Sequence, residues 1–368
     1  MSTKVIAPTL AEFELAHENV LQVAIETPIL KSNYLTKFVG SDVYLKCENL
    51  QRTGAYKLRG AYNRMSKLTP AERRKGVVAA SAGNHAQGVA LAAKKLGIKA
   101  TIFMPVGASL PKLQATENYG AEVVLTGAVF GETLKAAQAY SAKKGAIFIP
   151  PFDHLDVIAG QGTVGLEIIN ELQDVDNIIV AIGGGGLAAG VATAAKLKAA
   201  ANGRKIKVYG VQAKNASPYV QSLKLGRPIE QAISRTIADG IAVGKPGAIP
   251  FALIKKNIDK VVTVTDDEIA QAIVVLLERS KMVVEPAGAV GVAAIMSGAL
   301  KLKGKTVVIL SGGNIDPLLL QKVVGHGLAA AERYTSISVM LPDRPGMLVK
   351  TAEAIASAHG NVVEVLHT

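Results

Sequence analysis

The sequence predicts an α/β protein with two mostly parallel twisted sheets flanked by helices. Three observations carry that prediction. Short β-branched runs alternate with alanine-rich runs of helical period along most of the chain, and strand–helix–strand alternation specifies parallel pairing through crossover connections. The strand-like runs are continuously apolar rather than alternating, as expected where both faces of a sheet are covered. Three of them end in polar, glycine-rich turns, at Ser81–His85, Gly183–Gly186 and Ser311–Asn314. The carboxyl ends of strands are where α/β sheets form ligand crevices.

The strand-like runs, in order, are Val43–Cys47, Val77–Ala80, Ala100–Met104, Glu122–Leu125, Ile147–Ile149, Ile178–Ile182, Lys207–Gln212, Lys260–Val264 and Thr306–Leu310. Between them the spacing of apolar residues predicts helices over Asn84–Leu96, Lys112–Tyr119, Glu132–Lys144, Leu187–Ala201 and Thr265–Lys281. The last opens on Thr265-Asp-Asp-Glu268, the spacing of a capping box. The pattern changes after about residue 330. Thr335–Leu341 alternates like a half-exposed strand, Asp343–Gly346 is a turn, Pro345 is placed to open a helix running to His359, and Val362–Leu366 reads as a second strand. Two strands and one helix leave sheet edges unpaired. The tail therefore reads as half of a small regulatory module, pairing with the same segment of another subunit or with something missing.

Composition bounds the function. Of 368 residues, 49% are hydrophobic and 19% charged, a globular balance that excludes a disordered or fibrous chain. The length allows two or three domains. The lone cysteine, Cys47, excludes an intramolecular disulfide and a multi-thiolate metal site, and fits a reducing, cytoplasmic compartment. The first twenty residues mix charges and have no apolar core, so no signal peptide is expected. The net charge of +12 comes from short groups such as Arg73-Arg74-Lys75, Lys94-Lys95, Lys143-Lys144 and Lys255-Lys256. Most fall near expected helix ends, where cations suit the dipole. No basic run is interleaved with aromatics, so nucleic acid is not an expected partner. Asn177–Ala195 carries no charge over 19 residues, near spanning length, but four consecutive glycines divide it into a buried strand, a turn and a helix, and no membrane partner is expected.

The chemistry concentrates in the glycine turns and one lysine. Gly183, Gly184, Gly185 and Gly186, followed by Leu187, join a buried strand to a helix. Four glycines let backbone N–H groups and the helix N-terminus close around an anion. A dinucleotide site would place an acid near the end of the next strand, and Gln212 stands there. Gly-Lys-Ser/Thr is absent, which excludes a P-loop. A ligand with one phosphate fits better. Ser81, Ala82, Gly83, Asn84 and His85 form a turn that could grip a carboxylate through amides and a hydroxyl, or could serve equally as a helix N-cap. His85 has no nucleophile or base near it in sequence and reads as a packing or capping residue. Lys57 follows the turn at Gly54 among uncharged neighbours, where an amine can be desolvated and become nucleophilic. With a one-phosphate cradle, that suggests a Schiff base to pyridoxal phosphate.

Taken in order, Lys46-Cys-Glu-Asn-Leu-Gln51 through Lys57, Ser81–His85, Gly183–Leu187 and Ser311 resemble the threonine/serine dehydratases (threonine ammonia-lyases) of the fold type II, tryptophan-synthase-β-like pyridoxal-phosphate enzymes. The resemblance covers essentially the whole chain. It implies a large cofactor domain over 1–57 and 152–330, a small substrate-side domain over 58–151, and a homodimer or homotetramer. It implies that Lys57 forms the Schiff base and removes the α-proton, that Asn84 meets the cofactor's ring oxygen, and that Gly183–Leu187 holds the phosphate. Ser311 would meet the pyridine nitrogen, while Ser81–His85 holds the carboxylate of an amino-acid substrate. The expected reaction turns L-threonine, and L-serine with it, into a 2-oxo acid and ammonia. The tail resembles the first half of an ACT domain over 335–368. Ala55-Tyr56 stands where the family commonly has Ser-Phe. Ala82 stands where related serine racemases have a serine acid, which argues against racemisation. Gln212 and Pro218 stand where racemases place acidic metal ligands, so no metal site is expected. The competing readings are a β-replacement enzyme, a non-catalytic amino-acid sensor and a nicotinamide oxidoreductase, the last disfavoured by Gln212.

Overall fold

The computed structural model describes residues 5–333 and 335–366. Its strands are β1 (Ile29–Lys31), β2 (Val43–Lys46), β3 (Val77–Ala80), β4 (Ala100–Met104), β5 (Glu122–Leu125), β6 (Ile147–Phe148), β7 (Asn177–Ala181), β8 (Lys207–Ala213), β9 (Lys260–Val264) and β10 (Thr306–Ile309). They make a six-stranded sheet of order β1-β2-β10-β7-β8-β9 and a four-stranded sheet of order β5-β4-β3-β6. Every pairing is parallel except β1 with β2. The nine strands expected before residue 330 all form, within a residue of the expected ends. The strand not anticipated, β1, is a three-residue edge element with two exposed residues, too short to carry an apolar run. Its antiparallel pairing covers the free edge of β2.

Strands β3, β4, β7 and β10 are buried along their whole length, the condition their continuous apolar sequences demand. The six-stranded sheet separates two cores. Ile179 and Val308 face one, and Ile178, Val180, Val307 and Ile309 face the other, as the two-residue period of a strand requires. A third core covers the four-stranded sheet through Val77, Ala79, Ile102 and Met104.

The helices Asn84–Leu96, Leu110–Asn118, Phe130–Lys144 and Gly186–Ala201 stand where the periodicity places them. The expected helix over Thr265–Lys281 does not run unbroken. Thr265 and Glu268 form the capping box, the α-helix covers Asp266–Val275, and the next five residues, Leu276–Ser280, wind as a π-turn that stops at Lys281 with φ 57°. Apolar spacing does not distinguish a π-turn from an α-turn.

The tail differs more. A helix spans Met347–Ser357, capped by Gly346 at φ 88°, so Pro345 lies in the turn before it rather than at its first position. Neither Thr335–Leu341 nor Val362–Leu366 forms a strand. An isolated strand has no partner for its backbone groups and gains nothing by extending. Ile337 and Val339 instead line a shallow cleft with Ala354 and Ile355. Among the described residues no helix is long and apolar enough to cross a membrane.

Candidate active site

Lys57 opens the helix Lys57–Ser66. The segment before it is stitched to the turn after β10. The Tyr56 N–H donates to the Ser311 carbonyl at 3.2 Å and the Gly313 N–H to the Gly54 carbonyl at 2.8 Å, while Ala55 and Gly312 pair as an isolated bridge. Gly54 sits at φ 69°, and a Cβ there would lie 2.3 Å from the Asn314 amide oxygen. The lysine segment and the Ser311–Asn314 turn thus behave as one unit. The Lys57 amine donates to the Pro151 carbonyl at 2.8 Å. Burial lowers its pKa to about 8 against the opposing pull of Glu285, so a neutral amine is available near physiological pH.

Two residues further on, Arg59 fixes this helix from below. Its fully buried guanidinium donates to both carboxylate oxygens of Glu48, at 2.8 and 2.7 Å, and to Glu167. Lys46 closes the cluster with a 2.6 Å contact to Glu167. Two cations and two anions cancel, which is the condition for burying them. His17 and Glu26 stand within metal-ligand distance of Glu167, but the Glu167 carboxylate is already held by Lys46 and Arg59.

The turn Ser81–Asn84 leaves β3 and enters Asn84–Leu96. The Gly83 N–H donates to the Ser81 hydroxyl at 3.1 Å, and Ser81, Ala82, Gly83 and Asn84 are all half-buried. Gly88, one turn on, sits so close to Leu58 and Lys57 that a Cβ would meet their backbone at 3.0 Å. That close packing sets the Ser81–Asn84 turn beside the lysine. His85 is buried, and its Nε2 meets the Ile149 carbonyl at 2.9 Å. Burial, with Lys57 nearby, depresses its pKa to about 3. It is a neutral packing residue at neutral pH, and the carbonyl partner requires the proton on Nε2.

The glycines Gly183–Gly186 lie between β7 and the helix Gly186–Ala201, with Gly185 at φ 101°. Side chains have no room here. A Cβ on Gly184 would lie 2.3 Å from the Phe152 ring, and one on Gly185 would lie 2.0 Å from the Tyr219 hydroxyl. The fully buried Tyr219 hydroxyl donates to the Gly184 carbonyl at 3.0 Å. Gln212 supports Tyr219 in turn. Its amide oxygen accepts from the Tyr219 N–H at 3.0 Å and its nitrogen donates to the Ile182 carbonyl at 3.3 Å. Gln212 therefore braces the glycine turn. Leu187 is buried in the first helical turn and packs in the core beneath it. Ser311, 3% exposed, stands beside the lysine segment at the end of β10.

The chain matches the family described as pyridoxal-phosphate dependent enzyme over residues 20–313. It belongs to that family. Its relatives include an L-threonine ammonia-lyase of Thermotoga maritima, 46% identical over 360 residues, covering 98% of this chain and 88% of the relative. Among solved structures it resembles the processed form of threonine deaminase isoform 2 from Solanum lycopersicum, with a TM-score of 0.81, 39% identity and coverage of 89% and 98% of the two chains. Maize serine racemase gives the same TM-score at 34% identity, covering 89% of this chain and all of the racemase.

The residues of this pyridoxal-phosphate dependent enzyme fit the cofactor on structural grounds. A glycine turn that no Cβ can enter opens on a helix N-terminus, which suits a phosphate. An amine that gives up its proton near neutrality suits an aldehyde carbon, and a buried hydroxyl suits a ring nitrogen. Sequence reading missed Arg59, Tyr219 and Glu285. The available signal for Glu285 was a lone acid between the apolar Met282–Val284 and the helix-opening Pro286, a position where an exposed acid is not expected.

Proposed function

We propose that this enzyme is a threonine ammonia-lyase, which converts L-threonine, and L-serine with it, into a 2-oxo acid and ammonia. The observation that carries the reading is the neutralisable Lys57 amine set between the glycine cradle and the Ser81–Asn84 turn, in a chain aligned along nearly its full length with an L-threonine ammonia-lyase. Lys57 is the residue that holds the cofactor covalently. Gly183–Leu187 take its phosphate on backbone N–H groups and the helix N-terminus. Ser311 offers a neutral hydroxyl to the ring nitrogen. Pyridoxal phosphate, when bound, supplies an electron sink for charge developing at the substrate α-carbon.

Ser81 and the N–H groups at the start of Asn84–Leu96 hold the substrate carboxylate, and holding it orients the α-hydrogen for the base. Lys57, as a free amine, would accept that proton on Nζ. Its pKa of about 8 leaves the amine basic enough to accept a proton and unprotonated often enough to do so. The β-hydroxyl would then leave as water, taking up a proton equivalent to the one removed from the α-carbon, and hydrolysis of the resulting enamine would give the 2-oxo acid and ammonia. Ala82 has no proton to give from the other side, which favours elimination over inversion. We infer a cytoplasmic homo-oligomer, with a large domain over 1–57 and 152–330 and a small one over 58–151.

The test is the visible spectrum of the purified enzyme before and after L-threonine, with 2-oxobutanoate assayed in parallel. A band that changes together with 2-oxobutanoate release supports the reading. A band that changes without it points to a replacement enzyme waiting for its nucleophile. Replacing Lys57 by Ala should reduce turnover by at least about a thousandfold; unchanged turnover sinks the mechanism.

A further inference from the structure

Glu285 is a buried carboxyl that none of these steps uses. It is 7% exposed, caps the helix Pro286–Met296, and donates its N–H to the Gly312 carbonyl at 3.0 Å. Its Oε1 accepts from the Asn84 amide nitrogen at 2.7 Å. The Asn84 amide oxygen accepts from the Asn314 nitrogen at 2.9 Å, and that same nitrogen donates to the Thr53 carbonyl at 2.7 Å.

The direction of this chain is forced from its ends. The Thr53 carbonyl can only accept, so Asn314 must present its nitrogen, and both hydrogens on it are then used. Asn84 must present oxygen to Asn314 and nitrogen to Glu285. Turned over, its amide would set nitrogen against nitrogen and oxygen against a carboxyl oxygen. Asn84 is left with one N–H. One N–H cannot serve both the cofactor's ring oxygen and the substrate carboxylate.

We propose that Glu285 is a positioning residue, which holds the Asn84 amide so that its remaining N–H serves the cofactor's ring oxygen and which biases the ionisation of that oxygen through its own charge. The proposal rests on the reading of Asn84 as the ring-oxygen residue. It leaves the substrate carboxylate to Ser81 and the backbone.

The surroundings make the charge of Glu285 responsive. Burial and Asp239, from the turn Asp239–Ile241, raise its pKa to about 7. The Asn84 hydrogen bond, Lys112 from Leu110–Asn118, and Lys57 pull the other way. The Tyr56 hydroxyl is held neutral by burial, with Glu285 adding to the effect. Lys112 and Asp239 are themselves 3.4 Å apart. Near neutral pH the carboxyl is therefore poised between a charged form, which would oppose an ionised ring oxygen held through the same Asn84 amide nitrogen, and a neutral form, which would not.

The experiment loads wild type, E285Q and E285A with pyridoxal phosphate. It records the visible band from pH 6 to 8 and the cofactor affinity by equilibrium titration. The wild-type band should change across this range. E285Q keeps an acceptor oxygen and loses the charge, so its band should be flat over that range with affinity within about threefold of wild type. E285A loses the acceptor as well, and its affinity should fall about tenfold. A pH titration in E285Q like that of wild type overturns the proposal, as does wild-type affinity in E285A. Glutamine is close in shape to glutamate, so the E285Q arm stands even if E285A folds poorly. Neither readout needs substrate. Failure of L-threonine to yield 2-oxobutanoate would defeat the proposed function and leave both measurements intact.

Discussion

Lys57 and His85 are neighbours in the fold with opposite assignments, and burial explains both. Removing a cation from water lowers its pKa whatever its type. For Lys57 that brings the amine into the useful range, at about 8. For His85 it removes the ring from the range altogether, to about 3. The consequence for stability has a definite sign. An unfolded histidine takes a proton near pH 6.5, while the folded one refuses it until about pH 3. The unfolded state thus binds more protons between those values, and stability falls as pH drops through that window. At pH 5 the loss relative to pH 7 from this residue is about 2 kcal/mol. Glu285, raised to about 7, carries the reverse sign: its contribution is present below its unfolded value and lost as pH rises towards 7. The check therefore compares denaturant unfolding of wild type and His85→Gln at pH 5 and 7. The wild type should lose more stability on acidification than the variant, by about 2 kcal/mol. Equal losses would mean the buried ring is protonated in the folded protein.

The strands and turns that build the site were readable because each obeys a local rule. Continuous apolar runs marked β3, β7 and β10, and polar glycine turns marked where they end. Thr265 with Glu268 marked the cap that forms. What escaped was set by partners distant in sequence. Arg59 offered no local signal, because Glu48 and Glu167 reach it only in the fold. Glu285 meets Asn84 across 201 residues. The strand expected at Thr335–Leu341 had the right alternation, and neither it nor the one expected at Val362–Leu366 pairs with a neighbour among the described residues. The glycine turn shows the same division. The sequence indicated four positions without side chains, but the atoms that forbid a side chain belong to Phe152 and Tyr219. Gly185→Ala should accordingly be doubly penalised, by its φ of 101° and by the 2.0 Å approach to the Tyr219 hydroxyl. We expect pyridoxal-phosphate affinity at least about tenfold weaker, from roughly 1–3 kcal/mol of backbone strain at the cradle. Equilibrium titration of the cofactor checks this. Tyr219→Phe removes one hydrogen bond without a clash and should cost less. A larger loss from Tyr219→Phe than from Gly185→Ala would place the weight on the hydroxyl rather than on the backbone path.

The helix that carries Lys57 packs against Asn84–Leu96 and Leu155–Glu171, and the charge cluster beneath it ties that junction together. Arg59 projects from Lys57–Ser66, Glu48 follows β2, Lys46 ends β2, and Glu167 lies in Leu155–Glu171. A hydrophobic contact would tolerate some sliding between these elements, whereas the planar guanidinium, bound on two edges by carboxylates, specifies one arrangement. The proposed role of Lys57 requires that its amine stay within reach of both the glycine turn on the six-stranded sheet and the Ser81 turn on the four-stranded one. On that reading the cluster should act on activity as well as on stability. Arg59→Ala leaves two buried carboxylates with only Lys46 to oppose them and should cost about 3–5 kcal/mol. Arg59→Lys keeps the charge but not the fork, so it should recover part of that stability without restoring the fixed angle between elements. Denaturant unfolding gives the first quantity, and kcat under saturating cofactor gives the second. The expected pattern is a Lys variant nearer to wild type in stability than in kcat. If kcat recovers in step with stability, the cluster is a fold determinant alone, and the placement of Lys57 is secured by the backbone hydrogen bonds between the Gly54–Tyr56 segment and the Ser311–Gly313 turn.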